Sequence, residues 1–245
     1  MDIISEKHRQ EFLEYYYNNG DKKNQEVVST YKFEDFAKGS AVLDLERARM
    51  SEKKEFPWLT DDSIDWNSWS HIKNPNYKST NRLIDFLVDV VSKNGAVLLN
   101  ITPKANGEIP EPVKERLLEM GAWLQTNGEA IYGTRTFDIY GEGKAKVVEG
   151  HLSEQKNPDN TADDIRFTTK GDVLYAIALD WPEGKEFTIH SLVKGNNLFP
   201  KEIKSIQLLG DGKNLNFERN ESGLSIKLPE NKIGNYAFAF KINPQ

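Results

Sequence analysis

The 245-residue chain has no cysteine. This excludes disulfides, thiolate catalysis and cysteine-held zinc or iron–sulfur centres, and leaves the compartment open. No apolar run approaches the roughly 20 residues needed to cross a bilayer. The longest, residues 83–91, is interrupted by Asp85 and Asp89, which sets aside a membrane protein. Positive charge is in the minority: 32 Lys and Arg against 38 Asp and Glu give a net charge of −6. A broad nucleic-acid-binding face needs the opposite balance. The four histidines, His8, His71, His151 and His190, lie far apart and show no metal-ligand spacing, so neither a metal nor another cofactor is expected. The Gly141-Glu142-Gly143 doublet lacks the strand, loop and helix that a phosphate cradle requires. The N-terminus lacks a basic-then-apolar leader pattern. It opens directly in an amphipathic helical pattern with Ile3, Phe12, Leu13 and Tyr16 as candidate buried positions, which predicts structure continuing upstream.

What is present divides into two textures. Residues 1–134 alternate strand and helix: β-branched or apolar runs at 26–32, 39–46 and 96–101, and helical periodicities at 79–94 and 110–127. Ser79 is placed to cap the first of these two helices, and Asn94-Gly95 to end it. Strand–crossover–strand order predicts parallel βα units, three or four of them, with strand-end residues Glu46, Asp61, Asp62 and Asn100 gathered at the carboxyl edge. Residues 135–245 lose the helical period and read as short alternating strands at 164–168, 173–179, 186–190, 203–209, 224–228 and 236–242, an antiparallel β-sandwich. The polar stretch 151–161 reads as the most flexible segment. A complete (β/α)8 barrel takes about 250 residues. The first domain is therefore either a small open α/β sheet or half of a TIM-type barrel.

Glu46 is the strongest chemical signal. It ends an apolar strand near several tryptophans, and carbohydrate sites combine carboxylates with aromatic faces. The alternative is that Glu46 pairs with Arg47 or Arg49 at a surface. Asp61-Asp62 fits either acid, base or hydroxyl acceptor, or a turn cap beside a solvated charge. Trp58, Trp66 and Trp69 form either a stacking platform or a buried aromatic cluster.

Several stretches then carry a resemblance: Phe56-Pro-Trp-Leu-Thr-Asp-Asp-Ser-Ile64, Ser68-Trp69, Val90-Val-Ser-Lys-Asn-Gly95, Leu98-Leu-Asn-Ile-Thr-Pro103 and Asn127-Gly-Glu-Ala-Ile-Tyr-Gly-Thr134. With Gly39 to Arg47 and Ala162-Asp-Asp-Ile-Arg-Phe167, they resemble the family 29 glycoside hydrolases, the α-L-fucosidases, in the family's order through nearly the whole chain. The resemblance implies a (β/α)8 barrel followed by a C-terminal β-sandwich, and retaining hydrolysis of terminal α-L-fucosides through a carboxylate nucleophile and a separate acid/base. It matches Glu46 to the acid/base and Trp58 to a wall of the sugar pocket. The family's nucleophile, in a Trp-Phe-Asp strand end upstream of the segment matching 26–32, has no counterpart here, and Asp2 stands in the wrong context.

Further departures stand near the site. Leu59 replaces a glutamate that some members carry after the tryptophan, Ser70-His71 replaces Gly-Tyr, Thr102 replaces a glycine and Asn106 an aspartate. The expectation is thus an α-L-fucosidase chain, truncated or split, that carries the second half of the barrel plus the sandwich and lacks the nucleophile-bearing half. A carbohydrate-binding or interaction module derived from such an enzyme is the alternative. The expected partners are a fucosylated glycan and either a separate N-terminal half or a second copy covering the open barrel edge. Neither nucleic acid nor membrane is expected. The resemblance alone favours a periplasmic or extracellular location.

Overall fold

The structure, a computed structural model, describes residues 4–245, so Asp2 and Ile3 lie outside the described residues. Helix α1 (Glu6–Lys22) starts at Ser5, whose hydroxyl accepts the His8 N–H, and its terminal charges, Glu6 and Lys22, suit the helix dipole. Phe12 is exposed, Leu13 and Tyr16 are half-buried, and only Gly20 is buried. The helix therefore rides on the surface of the fold.

Four parallel strands follow in spatial order: β1 (Thr30–Tyr31), β2 (Val42–Glu46), β3 (Trp58–Ser63) and β4 (Gly95–Asn100). β1 is shorter than the 26–32 run suggests. β3 escapes an apolar pattern search because its buried positions include Thr60, Asp62 and Ser63. Thr60 is satisfied by donating to the Leu45 and Ala48 carbonyls, at 2.8 and 2.7 Å. Gly95 lets the start of β4 approach β3: a Cβ there would stand 2.6 Å from the Trp58 ring and from Val90.

Helix α2 (Thr80–Ser92) is capped by Ser79, which accepts the Arg82 N–H at 3.2 Å, and the chain turns through left-handed Asn94 (φ 72°) into β4. It is buried on almost every side because it is sandwiched. Phe86 and Val90 pack on the outer face of the parallel sheet with Leu45 and Trp58. Ile84 and Val88 pack, with Trp123 of α3 (Glu111–Asn127), against Tyr175, Ile177 and Ala239 of the second half. The aspartates that interrupt its apolar run face inward too. Asp89 binds Arg166 at 2.5 Å, Lys93 at 2.8 Å and Arg49 at 3.4 Å. Although burial opposes ionisation, these cations hold its carboxyl far below the usual range.

The second half is a sandwich of two antiparallel sheets. One runs β5 (Arg135–Glu142), β6 (Ile165–Lys170), β7 (Val173–Ala178), β12 (Phe238–Pro244), β9 (Ile203–Leu208); the other runs β10 (Phe217–Asn220), β11 (Gly223–Lys227), β8 (Glu186–Ile189). Their inner faces share one core that includes Phe167, Ile189, Ile206, Ile226 and Phe240. The architecture is therefore α/β followed by all-β, a partial barrel with an antiparallel sandwich. β5, whose register is broken between Thr136 and Gly141, and short polar β10 carry too little alternation to stand out in the sequence. Segment 151–161, read as flexible, is pinned: Ser153, Glu154 and Asn157 are buried. Arg82 donates to the carbonyls of Glu154, Asn157 and Pro158 at 2.9–3.1 Å.

Candidate active site

In a parallel sheet, residues at one register on neighbouring strands share a face. Glu46 pairs with Asp61, and Asp44 lies two residues before Glu46, so all three stand on the sheet face turned away from α2. Lys32, just beyond β1, gathers them. Its ammonium donates to Asp61 at 2.9 and 3.0 Å and to Glu46 at 3.1 Å, and lies 3.8 Å from Asp44. Burial works against its charge, but the bonds to Asp61 and Glu46 hold the lysine pKa above its ordinary value. Asp44 is pushed up by burial and then by the Asp61 charge. Glu46 thus pairs with Lys32, not with its sequence neighbours: Arg47 turns to Glu154 and the Asp65 and Trp66 carbonyls, Arg49 to Asp89.

The segment after β5 closes one side of this edge. The Glu46 N–H donates to His151 Nδ1 at 3.1 Å, and the Glu46 and Arg47 carbonyls accept the N–H groups of Leu152 and Glu154 at 2.8 and 3.0 Å. The His151 ring lies 4.2 Å from that of Phe33. Phe33 and Leu152 remain 65% and 61% exposed. Four residues here, Phe33, Arg47, Thr102 and Leu152, hold φ between 45° and 59°, a left-handed conformation that bulky side chains rarely adopt. Such strain concentrates where surrounding structure fixes a working geometry.

Asp62 points the other way from Asp61 and accepts Lys78 at 2.6 and 2.7 Å; Lys78 also binds Glu154. Burial first, and then the neighbouring Asp62 charge, push Glu154 up to about 7 against the pull of Lys78. Trp66 lies 4.8 Å from the Lys78 ammonium, and Trp69 4.8 Å from the Arg47 guanidinium. Both tryptophans are half-buried, and a cleft of about 410 Å³ opens between Arg47, Trp66, Leu152 and Glu154. The Ser63 hydroxyl and Asn100 amide fix the tryptophan loop by donating to the Ser68 and Trp69 carbonyls, at 2.7 and 2.5 Å.

The structure brings Glu46, Asp61 and, through the tryptophan loop, Asn100 to one edge, and separates Trp58 from them. Trp58 begins β3 at the opposite end of the sheet, is 1% exposed and donates its indole N–H to the Lys93 carbonyl at 2.9 Å. Its ring faces are taken up by the core, so the pocket-wall role expected for it is corrected to a structural one. Leu59 sits on the Asp61 side of β3, where it has no proton to give. Sequence reading missed Lys32, His151 and Glu154. Lys32 and Glu154 are partners whose relation to Glu46 and Asp62 appears only on folding. In the sequence His151 reads only as a lone histidine. Among the described residues, no group of three His, Asp or Glu is arranged to hold a metal ion. No helix among them is long and apolar enough to cross a membrane.

With this geometry in hand, comparison with known proteins gives a consistent picture. A family model described as alpha-L-fucosidase matches residues 3–129, and one described as alpha-L-fucosidase C-terminal domain matches residues 157–243. The plasma alpha-L-fucosidase of Pongo abelii is 33% identical over 180 residues, 70% of this chain and 33% of that protein. The tissue alpha-L-fucosidase of Bos taurus is 29% identical over 227 residues, 90% of this chain and 43% of that protein. Among solved structures, the alpha-fucosidase of Thermotoga maritima superposes with a TM-score of 0.71 at 26% identity, covering 96% of this chain and 50% of that one. The same enzyme in complex with fucose superposes at 0.66, covering 92% and 46%. The chain thus spans between a third and a half of the length of these proteins.

Proposed function

The chain belongs to the α-L-fucosidase family, and we propose that it serves the retaining hydrolysis of terminal α-L-fucosides on glycans, supplying the acid/base carboxyl, Glu46, to an active site whose nucleophile is carried by another segment. The observation that carries this reading is the placement of Glu46 at the carboxyl end of a parallel strand, on the open face of the sheet, within 3.1 Å of the Lys32 ammonium that also binds Asp61. A retaining displacement needs two carboxyls about 5–5.5 Å apart, across the scissile bond from one another. Asp61 is on the strand next to Glu46, with the Lys32 ammonium bound to both. In this reading Asp61 orients Lys32 and is available as an acceptor for a sugar hydroxyl. Trp66 and Trp69 supply the aromatic surface first expected of Trp58. The family resemblance favours work in the periplasm or outside the cell.

A second reading, a glycan-binding or interaction module without catalysis, draws support from the ion pair that engages Glu46 and from the leucine at position 59. Release of nitrophenol from an aryl α-L-fucoside, by the chain and its Glu46→Gln variant, separates the readings. The folded chain is expected to release none alone. It gains turnover, slowed in Glu46→Gln, when the complementary half of a fucosidase barrel is bound. Turnover undiminished by Glu46→Gln on both aryl and sugar fucosides removes Glu46 from the mechanism. A bound complement without turnover favours the module.

A further inference from the structure

The carboxyl of Glu154 enters the site from the second half of the chain, on the pinned segment after β5. It is buried and meets two cations of the first half. Lys78 donates to one of its oxygens, and Arg47 Nη1 lies 3.1 Å from the other. Arg47 directs its hydrogen bonds elsewhere, to the Trp66 carbonyl at 2.9 Å and the Asp65 carbonyl at 2.5 Å. The second oxygen of Glu154 therefore keeps no hydrogen bond among the described residues, and the charges of Arg47 and Lys78 are what offset its burial. The same cations surround Trp66. Its ring lies 4.8 Å from the Lys78 ammonium and 5.5 Å from the Arg82 guanidinium, and its carbonyl accepts Arg47. Arg82 in turn donates to the Glu154 carbonyl at 3.0 Å. Each of these three cations on Trp66 thus also touches Glu154.

We infer that Glu154 is a positioning residue: its charged carboxylate, by holding Arg47 and Lys78 together, fixes Trp66 at the cleft, and neutralising that carboxylate loosens the ring. A neutral carboxyl binds an ammonium more weakly than a carboxylate does. Lys78 would then turn wholly to Asp62, which already accepts it at 2.6 and 2.7 Å. The indole would lose the cation over its face. The groups that face Glu154 are Asp62 on β3, Lys78 before α2, Arg82 in its first turn, and Arg47 and Arg49 beyond β2. His151 stands three residues before it, against Phe33. Burial and the Asp62 charge bring the protonation of Glu154 to about 7, where modest changes of pH alter its charge. The inference rests on the fucosidase reading only in taking the cleft as part of the sugar site.

The test uses the whole chain and quenching of tryptophan fluorescence by acrylamide, a neutral probe insensitive to charge. The Trp66 contribution is the difference between each chain and the same chain carrying Trp66→Phe. Its quenching constant should rise at least about twofold as pH falls from about 8 to about 5.5. Glu154→Gln, neutral at every pH, should show the high value throughout. Asp85→Asn and His151→Gln should keep the transition. Asp62→Asn, which removes the like charge beside Glu154, should move the midpoint to lower pH, and this arm stands even where circular dichroism shows Glu154→Gln unfolded. A constant that is flat across this range overturns the inference. So does a transition that persists in Glu154→Gln, vanishes in Asp85→Asn or His151→Gln, or stays in place in Asp62→Asn. A chain that shows the transition but cleaves no fucoside with the complementary half bound leaves the inference intact and counts against the fucosidase reading alone.

Discussion

At the scale of single residues, the tryptophans show how position in a strand decides role. Trp58 and Trp69 both follow motif-like neighbours, yet one begins β3 in the core and the other lies half-buried against the Arg47 guanidinium. Trp58→Ala should therefore cost about 3–5 kcal/mol of stability, the range for a buried aromatic, read as a lower urea midpoint. Trp66→Ala, at a half-buried ring, should shift that midpoint far less while weakening any fucoside binding. Equal losses of stability would contradict the assignment. Glu46 was legible because it closes an apolar strand in a motif. Lys32 was not, because a lysine beyond a two-residue strand carries no local sign that three carboxylates await it.

At the scale of elements, helix α2 and segment 151–161 show where sequence reading falls short. The periodicity of α2 and its Ser79 cap were evident, but Asp85 and Asp89 stood out only as interruptions of its apolar run. They are buried because a second sheet covers them. Asp85, raised to about 7 chiefly by burial, accepts Asn81 at 3.2 Å and Asn160 at 3.4 Å, with Arg49, Arg82 and Arg166 nearby. Glu154 is raised to about 7 as well. Both folded-state values lie above the unfolded ones, so the native state holds more protons between about pH 4 and 7. Stability from these two groups is greatest at the acid end of that window and falls as pH rises through 7. Asp89 acts in the opposite sense: its depressed carboxyl adds stability above about pH 4 that is lost on further acidification. Urea midpoints should therefore decline from pH 5 to pH 8, and Asp85→Asn should flatten the decline. A midpoint that rises over this range would contradict the buried placement of both carboxyls. Asp89→Ala should destabilise by about 3–5 kcal/mol at pH 7, since Arg166, Arg49 and Lys93 would be left as buried cations without their common partner.

At the scale of the whole molecule, two unequal halves share one interior. The sandwich has both sheets closed around a continuous core, whereas the parallel sheet, among the described residues, has a face and two edges open. Hydrogen exchange should consequently be slowest in β6, β7 and β12 and faster in β1 and α1, with a bound complementary half of the barrel slowing the latter. The change of texture from α/β to all-β was legible because the hydrophobic period itself changes near residue 134. The contact between the halves was not, since Trp123 donating to the Ala237 carbonyl at 2.7 Å joins residues more than a hundred positions apart. The central claim, that Glu46 donates the proton to the leaving group, is tested most directly by varying that leaving group in the reconstituted complex. A sugar leaving group needs protonation, whereas dinitrophenolate does not. Glu46→Gln should slow cleavage of a fucosyl disaccharide by about 10²–10⁴-fold and affect bond cleavage in the dinitrophenyl fucoside far less; equal losses on the two substrates, or none on either, would contradict it.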